Sequence, residues 1–190
     1  MSSAASDLDP GIRMTRAEYQ RWADTQPTGR FERIDGMVVA MAPQRGAHLR
    51  VKRNVLIALM RSIAELGLPC EALPDGGTVE IDESGDYEPD AVVTCGDAMG
   101  ADSTVVPNPV VVVEVLSPGS RSSDLTRKLV GYFKVPSVRH YLIFWAERPQ
   151  VIHHRRRDDG ASIETRIVTT GEISLDPPGI TIALKDVYRD

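Results

Sequence analysis

The sequence predicts an α/β domain of α+β-like character: a mixed central sheet flanked by helices, with additional β-hairpins. Three observations carry this expectation. The stretch PVVVVEVLSP, Pro109 to Pro118, is apolar enough for a strand covered on both faces. Segments with helical periodicity precede and follow it, at His48 to Leu66 and from Ser122 or Ser123 to about Lys134. Turn sequences at Asp35-Gly36 and Asp158-Asp159-Gly160 divide strand-like arms into hairpins.

In chain order, residues 1–13 are small, polar and acidic, which predicts a flexible tail before a single domain over 14–188. Thr15 is a good N-cap for a helix over Arg16 to Asp24, with Glu18 closing a capping box. Phe31 to Met41 reads as the first hairpin. Pro43 to Gly46 breaks the chain before the clearest helix. There Val51 or Lys52, Val55, Leu56, Leu59, Ile63 and Leu66 share one face, and His48 extends it at the first turn. Gly67 and Pro69 stop that helix. Short strands follow at Thr78 to Ile81 and Asp90 to Thr94, then a polar loop over Cys95 to Asn108. After the valine-rich strand, Leu125, Leu129, Tyr132 and Phe133 form the apolar side of a helix, and Val138 to Trp145 is the next buried strand. The second hairpin and short strands near Glu172–Leu175 and Ile180–Leu184 complete the chain.

With 190 residues, 42% hydrophobic and 26% charged, the chain has the composition of a globular domain with a sizeable core. No apolar run approaches the ~20 residues of a membrane span, and the start lacks the features of a secretion signal. Cys70 and Cys95 have no C-x-x-C spacing and read as two free thiols in a reducing cytoplasm. The net charge of −5 argues against a nucleic-acid binder that works by bulk positive charge. Basic residues do cluster locally, and the run His153 to Arg157 reads as a solvated face.

Glu114 interrupts the valine run, and a carboxylate in so apolar a strand must find a proton, a cation or donors. It shares a face with Val112 and Leu116, opposite Val113 and Val115. Asp90 opens the preceding apolar strand. If the two strands are neighbours, both carboxylates converge on one divalent cation of the Mg²⁺ or Mn²⁺ type. The alternative for each is a buried ion pair or a strand-end cap. Lys128 is in register with Leu125 and Tyr132 toward the inner side of its helix, where it can serve such a site. It also lies four residues after Asp124, and the two can form a surface pair. Glu32 can turn toward the same cleft or stay a solvated strand residue. His48 is open between a helix-start histidine and a ligand. No phosphate-binding loop, nucleophile elbow or paired-histidine zinc motif is present.

Taken together, FERIDG (31–36), Pro43 with His48, Pro89-Asp90 and the block VVVEVLSPGSRSSDLTRKLVGYFKVPSVRHYLIF resemble the Uma2 family of proposed restriction endonucleases. The resemblance covers residues 14 to 188. It implies a restriction-endonuclease-like fold of the PD-(D/E)xK superfamily, with Asp90 as the motif's aspartate and Glu114 as its acidic partner. Leu116 stands where that motif has lysine, and Lys128 matches the lysine of the family. Glu32 and His48 match a family glutamate and histidine. The resemblance further implies a metal-dependent endonuclease acting on DNA. In that reading Asp90, Glu114 and the Val115 carbonyl hold Mg²⁺ or Mn²⁺, Lys128 and Glu32 assist, and His48 and Asp124 are accessory. Two other readings remain: a non-catalytic nuclease-fold module in a defence- or transposon-linked complex, and a hydrolase of another phosphate ester. A homo-oligomer that assembles a basic groove would offset the acidic charge.

Overall fold

The order of elements follows the hydrophobic pattern closely. In the computed structural model, which describes residues 13–41, 44–83, 85–116 and 122–189, four helices and twelve strands are present among the described residues. Helix α1 (Arg16–Asp24) carries the Thr15–Glu18 capping box, and β1 (Phe31–Ile34) turns into β2 (Met37–Ala40). Asp35 and Gly36 both have positive φ, 52° and 78°, as the tight turn requires. Helix α2 (Gly46–Leu66) ends at Gly67 in the left-handed region. Strands β3 (Cys70–Pro74), β4 (Val79–Asp82), β5 (Gly85–Tyr87), β6 (Ala91–Cys95) and β7 (Pro109–Leu116) follow. Then come α3 (Ser122–Tyr132), β8 (His140–Trp145), β9 (Val151–Arg156), β10 (Ile163–Val168), β11 (Glu172–Leu175), β12 (Ile180–Ala183) and α4 (Leu184–Val187).

Six strands make the main sheet, in the order β10-β9-β8-β7-β6-β3. Only the β7–β8 pair is parallel, because α3 carries the chain across; every other neighbour pair is antiparallel. A second sheet has the order β2-β1-β5-β4, and β11 pairs with β12. Alternation along β7 sorts the core into two layers. Val111, Val113 and Val115 pack with Val51, Val55 and Leu59 of α2 and with the β11–β12 ribbon. Val112 and Leu116 pack on the other face with Tyr132 of α3, Ile34 of β1 and Tyr87 of β5. Glu114 shares that second face, so α3 and the four-stranded sheet close over it.

Several expectations change. Cys70 and Cys95 are not free: they face each other across the β3–β6 ladder and form a disulfide. A spacing of 25 residues hides this, because the partnership is set by strand register rather than by sequence proximity. Leu66, assigned to the inner face of α2, is largely exposed, because the helix ends there beyond the edge of the sheet. In the 153–157 run, His153 and His154 are buried and only Arg157 is fully solvated, since β9 is an inner strand. Strands β3 and β5 and helix α4 are additions. Residues 1–12, most of the expected tail, lie outside the described residues, as do the side chains of Ser122, Ser123 and Asp124. Arg13 joins the fold by bridging to Met37.

The histidines of β8 and β9 tie acid stability to the core. His140 Nδ1 and His153 Nε2 are 2.9 Å apart and buried. Burial, with the neighbouring His153 and Arg155, pushes His140 down to about 3. Burial with Arg166, Arg155 and His154 pushes His153 down to about 4. Both are therefore neutral in the folded chain while the unfolded chain takes up protons below about pH 6.5, so their contribution to stability is lost as pH falls from there. In urea titrations the drop in stability between pH 6.5 and 4 is expected to be shallower in His153→Gln, by about one proton in the linkage slope. An unchanged slope would contradict this assignment.

Candidate active site

Asp90 is placed by the end of β6. Its N–H still donates to the Val113 carbonyl on β7 at 2.9 Å, so the main chain there belongs to the ladder. One step further along β7 the neighbouring strand has ended, and the side chain takes over: Asp90 Oδ2 accepts the Val115 N–H at 2.7 Å. Val115 thus enters the site through its amide nitrogen. Its carbonyl projects toward the same side of the strand, as the two groups of one residue do in a ladder.

Two residues of α2, one turn apart, cover Asp90. Lys52 Nζ lies 2.9 Å from Asp90 Oδ1 and 2.7 Å from Asp75 Oδ2. His48 Nε2 lies 3.4 Å from Asp90 Oδ2, within ion-pair distance but without hydrogen-bond geometry. Burial works against ionisation of Asp90, but His48, Lys52 and the Val115 N–H outweigh it and bring the carboxyl down to about 2. Asp90 is an anion at any ordinary pH.

Glu114 meets a different surrounding. Lys128, from α3, places Nζ 2.8 Å from Glu114 Oε1 and 2.9 Å from Glu32 Oε1. The Tyr132 hydroxyl, one turn on, donates to the same Glu114 oxygen at 2.7 Å. Glu32 is held in place by the Glu88 N–H at 2.9 Å. Burial pushes Glu114 up to about 7, opposed by Lys128 and reinforced by Asp90 and Glu32. The two carboxylates hold Lys128 well above the usual lysine range despite its burial, so it stays charged. Burial together with Glu114 and Glu32 pushes the Tyr132 phenol up as well, which keeps it a neutral donor.

The height of α3 above the sheet is set at Gly131. A Cβ there would stand 2.5 Å from Tyr87 Cε2 and 2.8 Å from its hydroxyl. The helix therefore seats directly on that ring, which also lies 6.0 Å from the Lys128 ammonium. Arg30 completes the charge pattern by pairing with Asp75 and Glu88. Its neighbours Asp75 and Glu88 also line a cleft of about 890 Å³ with Tyr19, Phe31 and Thr78, so the charged cluster reaches solvent on that side.

The charges do not balance. Glu32, Asp75, Glu88, Asp90 and Glu114 meet the fixed cations Arg30, Lys52 and Lys128, five against three. A divalent cation would supply the missing two charges, and a proton on the raised Glu114 supplies one of them. The donors are hard oxygens, which suits Mg²⁺ or Mn²⁺. Among the described residues no three His, Cys, Asp or Glu side chains come together in a group that could hold a metal ion. An open pair of carboxylates is the arrangement that leaves a Mg²⁺ ion its waters.

The structure thus brings Glu32, His48, Asp90, Glu114, Val115 and Lys128 together, and the side chain of Asp124 lies outside the described residues. Sequence reasoning missed Arg30, Lys52, Asp75, Glu88 and Tyr132 as members. Lys52 and Tyr132 had a signal, each lying four residues after a candidate, His48 and Lys128, on a helix. Asp75 had none.

The domain is thus a mixed sheet with Glu114 on an inner strand, Asp90 at the entry to the neighbouring strand and a lysine supplied by the crossover helix. The family model for Uma2, described as "Putative restriction endonuclease", matches residues 16–185, and the chain belongs to that family. A crystal structure described as "a putative nuclease belonging to DUF820" from Anabaena variabilis ATCC 29413 has the same fold. It superimposes with a TM-score of 0.74 at 14% identity, covering 92% of this chain and 97% of that one. "Uncharacterized protein slr1290" of Synechocystis sp. (strain ATCC 27184 / PCC 6803 / Kazusa) is 24% identical over 187 residues, 98% of this chain and 97% of the relative.

Lys128→Met would leave Glu32 and Glu114 buried without their shared counter-charge, a loss of about 3–5 kcal/mol at pH 8. Between about pH 4.5, the unfolded value, and about 7, the folded chain holds a proton on Glu114 that the unfolded chain has released. Stability from that proton therefore grows as pH falls through this window. The loss in Lys128→Met should accordingly be smaller at pH 5 than at pH 8. Urea titrations at the two pH values read it, and equal losses would contradict the ion-pair geometry.

Proposed function

We propose that this chain is a metal-dependent endonuclease that hydrolyses phosphodiester bonds of DNA by a metal-activated water. The observation that carries the reading is the placement of Lys128 Nζ, 2.8 Å from Glu114, although Leu116 occupies the motif's own lysine position. The helix supplies from outside the strand the ammonium that the strand lacks. Asp90, Glu114 and the Val115 carbonyl would hold Mg²⁺ or Mn²⁺. When bound, such an ion lowers the pKa of a water and offsets charge developing on a phosphoryl oxygen.

The residues of the chain do the rest. Lys128 orients the nucleophilic water and faces the negative charge that grows in the transition state. Glu32, held by Lys128 and the Glu88 N–H, takes up the proton that the water gives up. Lys52 keeps Asp90 ionised and aligned, and His48 packs beside it. Burial of all these groups excludes bulk water and strengthens each interaction. Asp124 remains an accessory candidate on the first turn of α3.

DNA reaches an acidic protein through local contacts and through the cation itself, so binding should weaken steeply with salt. No helix among the described residues is long and apolar enough to cross a membrane. The compartment that goes with a DNA substrate is the cytoplasm, with the Cys70–Cys95 bond as the one feature that suits an oxidising compartment better. Leu116 at the lysine position supports a second reading, a nuclease-fold module that binds without cutting.

Supercoiled plasmid and single-stranded DNA, each with Mg²⁺, Mn²⁺ or EDTA, distinguish the two. Metal-dependent cleavage is expected, reduced roughly 100-fold or more by Asp90→Asn and by Glu114→Gln. Binding without cleavage, unaffected by either substitution, is the outcome of the second reading. Cleavage that survives both substitutions would remove Asp90 and Glu114 from the mechanism.

A further inference from the structure

The main sheet has two ends, and they differ. At one end β3 finishes at Pro74 and is tied to β6 by the Cys70–Cys95 bond. At the other, β10 runs six residues in unbroken register with β9. It has no proline and no bulge, two of the features by which proteins ordinarily protect an edge, and its two charges, Glu164 and Arg166, are of opposite sign. Ile163 and Ile167 are exposed on it, Ile167 to 66%.

The direction of its backbone groups follows from the hairpin. Arg157 N–H donates to the Ser162 carbonyl at 2.9 Å, so the even-numbered residues of β10 bond to β9. Ile163, Thr165 and Ile167 consequently turn their N–H and C=O groups to the edge that no described strand pairs. Around Thr165 the sequence is symmetric in character: Ile163 and Ile167 outside, Glu164 and Arg166 inside. Glu164 and Arg166 now pair with each other along the strand at 2.7 Å.

We propose that β10 pairs antiparallel with β10 of a second copy of this chain, about a two-fold axis through Thr165. Only this register among its neighbours satisfies both backbone and charge. Thr165 meets Thr165 of the second copy, and Ile163 meets Ile167, with outward-facing donors opposite outward-facing acceptors. Glu164 then faces Arg166 across the axis, twice, at the closely spaced non-hydrogen-bonded positions. Centring the pair on residue 164 would place glutamate against glutamate, and centring it on 166 would place arginine against arginine. The resulting dimer continues the sheet through both chains, and the axis, perpendicular to the sheet, leaves both α3-bearing faces on the same side.

Sedimentation equilibrium of the full chain over 1–100 µM (roughly the range in which edge-paired dimers of modest area form) should give a mass twice that of the monomer. Arg166→Glu sets like charges opposite each other in both symmetric pairs and should weaken the dimer about tenfold or more. The exchange Glu164→Arg with Arg166→Glu restores the pattern and should return the dissociation constant to within about threefold of wild type. Far-ultraviolet dichroism and urea midpoints confirm that each variant is folded. A monomer throughout that range, a dimer indifferent to Arg166→Glu, or a folded exchange variant that stays monomeric would each overturn the proposal.

Discussion

The ammonium group of Lys128 joins three parts of the molecule by charge, where Tyr132 joins them by packing. Its helix lies on the six-stranded sheet through Tyr132, one of its carboxylates belongs to that sheet, and the other belongs to β1 of the second sheet. Taking such groups out of water costs several kcal/mol each, and only mutual pairing with further donors recovers the loss. The Tyr132 hydroxyl and the Glu88 N–H supply those donors. The packing of α3, the approach of the second sheet and the ionisation of Glu114 are thus aspects of one electrostatic arrangement.

Asp90 and Glu114 illustrate how neighbouring carboxylates acquire opposite characters. Asp90 accepts a backbone N–H and lies beside His48 and Lys52, the latter shared with Asp75, and is depressed to about 2. Glu114 shares its lysine with Glu32 and is raised to about 7. One carboxylate is therefore a permanent anion and the other a group whose charge depends on what lies beside it.

Much of this was legible in the sequence where chemistry and local pattern coincide. The capping box at Thr15, the Asp35-Gly36 turn, the two-faced burial of residues 109–116 and the inward turn of Lys128 all depend on residues near one another in the chain. What escaped depends on register between distant strands. Cys70 and Cys95 meet because β3 and β6 align residue 70 with 95, and nothing within either strand announces it. Asp75 joins the site through a lysine on α2 and an arginine before β1. Lys52 was visible as a residue on the inner face, but its role required knowing that Asp90 lies beneath that face. Leu66 shows the converse: its helical phase was right, and the sheet simply did not extend far enough to cover it.

The contact between Gly131 and Tyr87 acts as a shim. In an exposed helix, alanine in place of glycine stabilises by about 0.5–1 kcal/mol, so residue 131 looks like an easy target for strengthening the protein. Here one methyl group would have to displace a buried tyrosine ring or lift the helix. Lys128 sits one turn away on the same helix, and misplacing a reacting group by about 1 Å can cost 100-fold in rate. The gap between helix and ring is thus an adjustable dimension of the site. A residue that touches none of the charged groups can change how they work by altering the spacing of the layers.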